Sequence, residues 1–374
     1  MRAGVNLCWL VPGVVGGSEE ATTRVLRAIA LDPPDDIEIV LFAQRSFRDA
    51  HPDLAERFET HTVPVPRGDK ALRVLAEHTW LPLAVKRHRI DLLHDAGGTS
   101  PGRLGVPRVL TIHDIQPLEL PRNFGRVKVV YLRWAIPRAI DGAARVLVPS
   151  AFVRDRLVER LGADPDRIDV VPWSVPDAEE GTPIAAVRAR YGIIGSIVLV
   201  PGITYPHQDQ IVAIRAMRHV AGRHGETTMV LTGGEGPAER AVLAEIEAQG
   251  MADRVVRTGR VPAPVMASLF RNATAVIVPS RYEGFGVPAL EAMAAGVPLI
   301  VADAGALPEV VGDAAEVVPA GDDAQLAVAL HRILSDPDHH RALSVAGRER
   351  AADFTPARTA AATLAAYRSA VVAL

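Results

Sequence analysis

The sequence contains one cysteine, Cys8, in 374 residues. An internal disulfide is impossible, and a structural zinc site built on several cysteines is excluded. Aromatic residues make up only 5%, so the core must be built mainly from Val, Leu, Ile and Ala. That mix suits buried parallel strands covered by Ala-rich helices. The formal charge of −3 lacks the basic excess of a nucleic-acid binder. No apolar run approaches the ~18–20 residues of a membrane span. The apolar start from Val5 to Val11 is too short for a signal-peptide core with its flanks. It reads as a first buried strand, and a cytoplasmic location is expected. Lysine is scarce: Lys70, Lys86 and Lys128 all fall in the first half.

What is present is a regular alternation of short apolar runs with longer Ala/Leu/Arg-rich segments of helical period, the pattern of repeated βαβ units. Strands are expected near 3–11, 37–43, 90–94, 107–112, 144–148 and 168–171, with helices near 18–31, 68–87, 126–140 and 151–161. Ser150 precedes the last of these as an N-cap. Residues 172–195 break the rhythm with Pro172, Pro176, Gly181 and Pro183 beside Glu179 and Glu180, and read as a linker plus a short helix carrying Arg188 and Arg190. A second series follows, with strands near 196–201, 228–232, 254–258, 274–278, 298–302 and 315–318. Helices between them fit 208–223, 237–249, 263–271, 287–295 and 322–335. The expected fold is α/β, two tandem Rossmann-like doubly wound domains with an interdomain cleft. The expected domains span 1–175 and 176–355, and a final helix over 356–374 packs back on the first. Ligands bind at the carboxyl ends of the strands in such sheets.

Three segments at strand ends carry candidate chemistry. After the first strand comes a glycine-rich turn from Gly13 through Gly16 and Gly17 to Glu19. It brings backbone N–H groups and a helix N-terminus to an anion, or it is a plain tight turn. It is neither the dinucleotide fingerprint nor a P-loop. His113 and Asp114 end another apolar strand, which turns the His to the ligand side or bonds it to a neighbouring loop. His94 to Gly98 is a weaker copy and reads as loop structure. The strongest segment runs from Ser280 to Met293, with Glu283 on a loop and Glu291 eight positions on in a helix. Gly284 and Gly286 leave the loop backbone open to a ligand, and the helix start can hold a diphosphate. Two carboxylates at this spacing suit a sugar and a ribose.

These motifs resemble glycosyltransferase family 4, retaining enzymes of the GT-B fold, over nearly the whole chain. The resemblance rests on Gly16-Gly17-x-Glu19, His113-Asp114, Val148 to Phe152, Val230 to Gly234, Val256 to Val261, the E-x7-E element from Glu283 to Glu291, and Gly312 to Ala315. It implies that Glu291 holds the donor ribose. Glu283 and the backbone of Gly284, Phe285, Gly286 and Val287 would hold the transferred sugar, and His113 would bond that sugar near the reacting carbon. Gly17 would approach the diphosphate or the acceptor, Gly202 and Gln208 would belong to the donor site, and the segment from Gly259 through Arg260 to Val261 would line the base pocket through its backbone. It further implies a nucleotide diphosphate sugar as co-substrate with no cofactor and no metal. Retention would come from same-face attack, the leaving phosphate taking the acceptor proton. The strings Tyr205-Pro206-His207 and Ser280 to Gly286 are most similar to mannosyltransferase-like members, which points first to GDP-mannose.

The chain departs from the family at the phosphate-binding Arg and Lys, whose positions hold Ile203 and Gln208. A developing diphosphate charge needs donors, so a replacement cation has to be an arginine, such as Arg281 or Arg260, or a histidine such as His207. Otherwise the enzyme is slow or specialised for an unusual donor, or the chain is a non-catalytic sugar- or nucleotide-binding relative; an epimerase of the same fold is a further reading. A phosphorylase is excluded, because no second-half lysine can anchor pyridoxal phosphate. The acceptor is a glycan, a lipid-linked sugar or a small molecule. Arg126, Lys128, Arg133 and Arg138 beside Tyr131, Leu132 and Trp134 suit either a peripheral contact with the inner face of a membrane or a solvated helix whose Trp and Leu face the core. The second is the expectation. His339 and His340 read as surface.

Overall fold

A computed structural model of the chain describes residues 1–13, 16–65, 69–102, 104–175 and 180–372. The chain divides into two units, Met1–Ser174 with Thr355–Leu374, and Val175–Phe354. Val14 and Val15 of the glycine-rich turn, and Pro176 to Glu179 of the expected linker, lie outside the described residues.

The first unit is built on seven parallel strands: β1 (Arg2–Leu7), β2 (Glu38–Ala43), β3 (Glu59–Thr62), β4 (Leu92–Asp95), β5 (Arg108–Thr111), β6 (Arg145–Val148) and β7 (Ile168–Val170). Their order is β3-β2-β1-β4-β5-β6-β7, so the winding reverses between β1 and β4. β1 stops at Leu7, short of the expected Val11. There the Cys8 N–H turns to the Asn6 side chain (3.1 Å) and the Leu10 N–H to the Leu7 carbonyl (3.1 Å), which ends the ladder. β3 was not expected. Its sequence Glu-Thr-His-Thr has no apolar alternation, because an edge strand pairs on one side only and buries little.

The helix Pro356–Val372 belongs to this unit. Ala360, Leu364, Tyr367 and Ala370 join a core with Leu26 and Ile29 of the helix Gly17–Leu31 and with Val5, Leu41 and Leu92 of the sheet. Thr359 Oγ1 donates to the Pro172 carbonyl at 2.8 Å, and Arg368 pairs with Asp36 at 2.7 Å. The phenol of Tyr367, 1% exposed, lies 2.7 Å from His94 Nδ1, whose other nitrogen lies 2.7 Å from Thr111 Oγ1.

The second unit has six parallel strands: β8 (Ser196–Pro201), β9 (Thr227–Thr232), β10 (Val255–Gly259), β11 (Ala275–Val278), β12 (Leu299–Ala302) and β13 (Glu316–Val318), ordered β10-β9-β8-β11-β12-β13. The winding reverses between β8 and β11, and the loops that leave these two strands flank that point. Val198, Val200, Leu231, Ile277 and Ile300 of the sheet pack against Ala213, Met217, Leu326 and Leu330 of the helices Gln210–Val220 and Asp323–Ser335. The first of these helices starts two residues later than expected. Pro206–Gln208 forms a 3-10 turn and Asp209 takes a left-handed φ of 49°.

Two surface expectations change. Trp134 does not face the core: it is half exposed under the guanidinium of Arg138, 4.7 Å from its ring, while Ile136 and Ile140 supply the buried face of the helix Arg126–Gly142. His339 is not a surface group. It lies in the helix Pro337–Ala351 with Nε2 2.6 Å from Glu316 Oε1, and its side chain is 14% exposed.

Replacing Tyr367 by Phe keeps the packing and leaves His94 Nδ1 buried without a partner. Thermal or urea unfolding is expected to show a loss of about 1–3 kcal/mol. Unchanged stability would mean that this bond does not anchor the final helix.

Candidate active site

In the second unit the loop after β8 meets the loop after β11. Gln208 Nε2 donates to Glu283 Oε1 at 2.9 Å, and Ser280 Oγ, fully buried, donates to Gln208 Oε1 at 3.2 Å. The Arg281 N–H donates to the His207 carbonyl at 2.7 Å, which fastens the two loops by backbone as well. Gly202 makes room for this arrangement: a Cβ there would stand 2.6 Å from Gln208 Oε1, and its φ of 140° suits glycine. The backbone of Glu283 is held from beneath by Gly305 and Ala306. A Cβ on Gly305 would come 2.5 Å from the Glu283 carbonyl oxygen, and the Ala306 N–H donates to that oxygen at 3.0 Å.

The chain then enters the helix Val287–Ala295 through Gly286, whose φ of 96° places it in the left-handed region and which offers no side-chain cap. Gly284 and Val287 are partly exposed along this entry, while the Phe285 ring is buried against Phe354, 5.8 Å between centroids, so only its backbone can serve a ligand. Glu291 stands one turn into the helix, partly exposed. Thus Gly202, Gln208, Glu283 and the stretch Gly284 to Glu291 converge on one switch point.

Arg260 and Val261 lie on the loop after β10, the edge strand two positions out from β8. That loop is bound to the one after β9: the Gly233 N–H donates to the Gly259 carbonyl at 2.9 Å. Arg257 holds both carboxylate oxygens of Glu239 at 3.0 and 2.9 Å and the Gly233 carbonyl at 2.6 Å. Thr204 Oγ1 donates to Glu239 Oε2 at 2.6 Å. Sequence reasoning missed this brace and Gly305, since neither forms a local pattern.

The expected replacement cations fare differently. Burial pushes His207 down to about 4, so it is neutral near pH 7 and is not a cation. Arg281 Nε is paired with Asp209 Oδ2 at 2.6 Å, although its side chain is more than half exposed.

In the first unit, His113 follows β5 and lies between two indoles. Ring centroids are 5.8 Å to Trp9 and 5.4 Å to Trp173. Its Nε2 is 2.9 Å from the Ala96 carbonyl, which can only accept, so Nε2 carries the hydrogen. Nδ1 is then a lone-pair acceptor, buried and without a hydrogen-bond partner among the described residues. Burial pushes the ring down to about 4. Asp114 faces away from this role: its Oδ1 accepts the Gln116 N–H at 2.9 Å. Gly17 opens its helix 3.9 Å (measured from an added Cβ) from the Trp173 ring, and Glu19 folds back to accept the Gly13 N–H at 2.8 Å. A cavity of about 50 Å³ is lined by His113, Trp173, His94 and Tyr367. Trp9 and Trp173, missed from sequence, had one signal: the chain has four tryptophans.

Burial also pushes His94 down to about 3. Both folded values lie below the ~6.5 of an unfolded histidine, so protonation favours the unfolded state. These rings therefore withdraw stability as pH falls from ~6.5 towards about 4. In an NMR titration the ring signals of His94 and His113 are expected to stay flat from about pH 8 to about pH 5; an inflection near ~6.5 in either would contradict the assignment.

Over residues 15–179 the sequence matches glycosyltransferase family 4, and over residues 195–350 it matches glycosyl transferases group 1. A D-inositol 3-phosphate glycosyltransferase of Frankia alni is 32% identical over 291 residues, covering 72% of this chain and 70% of the relative. The sucrose-phosphate synthase of Thermosynechococcus elongatus superposes with a TM-score of 0.77 at 20% identity over 98% of both chains. Anabaena HepE in complex with UDP and glucose gives a TM-score of 0.77 at 20% identity over 99% of this chain and 100% of its own. The two structural likenesses establish the GT-B fold. With both halves matched and a relative 32% identical across most of its length, the chain belongs to glycosyltransferase family 4 and is a glycosyltransferase.

Proposed function

We propose that the protein moves a hexose from a nucleotide diphosphate sugar to an acceptor hydroxyl, with retention at the anomeric carbon and without a metal ion. The observation that carries this reading is the Gln208–Glu283 hydrogen bond at the switch point of the second unit. It presents a carboxylate with fixed orientation beside the start of the helix Val287–Ala295, whose N-terminal dipole, worth about half a positive charge, favours a diphosphate. Glu283 accepts hydroxyls of the transferred sugar, and Glu291, one turn further, accepts those of the ribose. Gly202 and the backbone from Gly284 to Val287 approach the diphosphate. Arg260 and Val261 line the base.

In the first unit, the unpaired Nδ1 of His113 accepts a sugar hydroxyl. Trp9 and Trp173 hold the ring, and Gly17 leaves space for the approach. In the transfer the acceptor oxygen bonds to the anomeric carbon, the bond from that carbon to the β-phosphate oxygen breaks, and the acceptor proton passes to the departing phosphate.

GDP-mannose is the first donor to test, from the strings around Tyr205 and Ser280. UDP-glucose is the second, because a protein of the same fold has been solved with UDP and glucose. Thermal melts with GDP, UDP and ADP and their hexose derivatives, with and without EDTA, decide. Binding to the folded state raises the melting temperature by mass action. The expected result is stabilisation by one nucleotide, unchanged by EDTA and lost in Glu291→Ala. No stabilisation by any of them would favour a relative that does not bind nucleotide sugars, with Ile203 and Gln208 as the cause.

A lipid-linked acceptor has its own support. Val127, Val130 and Trp134, spaced three and four apart on one helical stripe, are 87%, 67% and 51% exposed. Exposed Arg126, Lys128, Arg133 and Arg138 surround them, the composition of a face that rests on an anionic interface. No described helix is long and apolar enough to cross a membrane. The wild-type protein is expected to sediment with anionic but not with neutral vesicles, and Val130→Ser with Trp134→Ser to remain in solution. Absence of wild-type binding would remove the lipid-linked class.

A further inference from the structure

We infer that Glu59, His61 and His88 form a binding site for a transition-metal dication of the Zn²⁺ or Co²⁺ type. The site lies on the edge strand β3, four strand spacings or about 19 Å from β5, and is independent of the transfer chemistry.

Glu59 and His61 flank Thr60 on β3, so their side chains leave the same face of the sheet. His88 follows the helix Lys70–Arg87 and reaches the same point. One ligand atom from each residue lies within 4.8 Å of the others. His61 Nε2 is 2.7 Å and His88 Nδ1 3.8 Å from the same oxygen, Glu59 Oε1. Metal–nitrogen and metal–oxygen bonds of about 2.0–2.2 Å require ligand atoms roughly 3–3.5 Å apart around a tetrahedral ion. The two separations from Glu59 Oε1 bracket that value, and turning the imidazoles out of their near-parallel stack aims both nitrogens at one ion.

The ligands are also held. The two imidazoles stack with centroids 3.5 Å apart, and Phe42 supports them at 5.7 Å from His61 and 6.3 Å from His88. Arg2 Nη2 takes the other carboxylate oxygen, Glu59 Oε2, at 2.5 Å, which fixes the orientation of the carboxylate as outer partners of metal ligands do. Arg2 is positive and lowers the affinity for a cation, so the site suits a modulating rather than a permanently bound ion. The histidine side chains are 24% exposed and that of Glu59 40%, which leaves an entry path and an open position for water. Two imidazoles and one carboxylate select borderline transition metals over Mg²⁺ or Ca²⁺. A bound ion would tie the edge strand to the end of the helix Lys70–Arg87, and would stabilise the first unit.

The test uses the full chain without a histidine tag, titrated with Zn²⁺ and with Co²⁺ by calorimetry, visible absorption and thermal melting. The expected result is one saturable equivalent, Co²⁺ d–d bands displaced by Zn²⁺, and a melting temperature raised by Zn²⁺ and restored by EDTA. His61→Gln and His88→Gln should each lose the bands and the shift, and His339→Gln should keep both. Metal-free melts of the variants report their folding separately. Absence of saturable binding, or binding that survives both His61→Gln and His88→Gln in folded protein, would overturn the site.

Discussion

The side-chain amide of Gln208, 2.9 Å from Glu283, joins the two loops on which the proposed donor site depends. Those loops leave β8 and β11, the strands between which the second sheet reverses its winding. Ligands gather at such a point because the connecting helices depart to opposite faces and leave the carboxyl ends of the strands open. The loops need glycine beneath them to come this close. Gly202 accommodates the amide and Gly305 the carbonyl of Glu283, and any side chain at either position would overlap them.

A neutral amide at this place changes how charge is managed. A hydrogen bond from Gln orients the Glu283 carboxylate without neutralising it. His207, buried and pushed down to about 4, adds no charge, and Arg281 is engaged by Asp209. In the proposed transfer the departing diphosphate would then be met mainly by oriented dipoles: the amide, the loop backbone and the start of the helix Val287–Ala295. Such preorganised dipoles cost no reorganisation at the moment of reaction. The first unit follows the same rule at His113, a neutral ring fixed in one tautomer by the Ala96 carbonyl.

Much of this was legible in the sequence, for physical reasons. Parallel strands buried on both faces read as apolar runs, so twelve of the thirteen strands among the described residues were expected near their observed positions. The exception, β3, is a polar edge strand. Glu283 and Glu291 stood out because a glycine-dense loop before an Ala-rich helix has few other uses. The supports did not stand out. Gly305, Trp9, Trp173 and the brace of Thr204, Glu239 and Arg257 act across long sequence separations, and no local pattern marks them. Trp134 misled because an aromatic on an amphipathic helix is usually buried, whereas here Arg138 covers it and Ile136 and Ile140 fill the core side.

We propose that the Gln208 amide, besides orienting Glu283, supplies a stabilising hydrogen bond in the transfer step; single-turnover rates of donor cleavage in wild type, Gln208→Ala and Gln208→Lys measure it. Removing one preorganised donor should slow Gln208→Ala by about 10²–10³, while Gln208→Lys, which restores a cation beside Glu283, should equal or exceed wild type. A Gln208→Ala enzyme that cleaves donor at the wild-type rate would mean that the amide takes no part in the transfer.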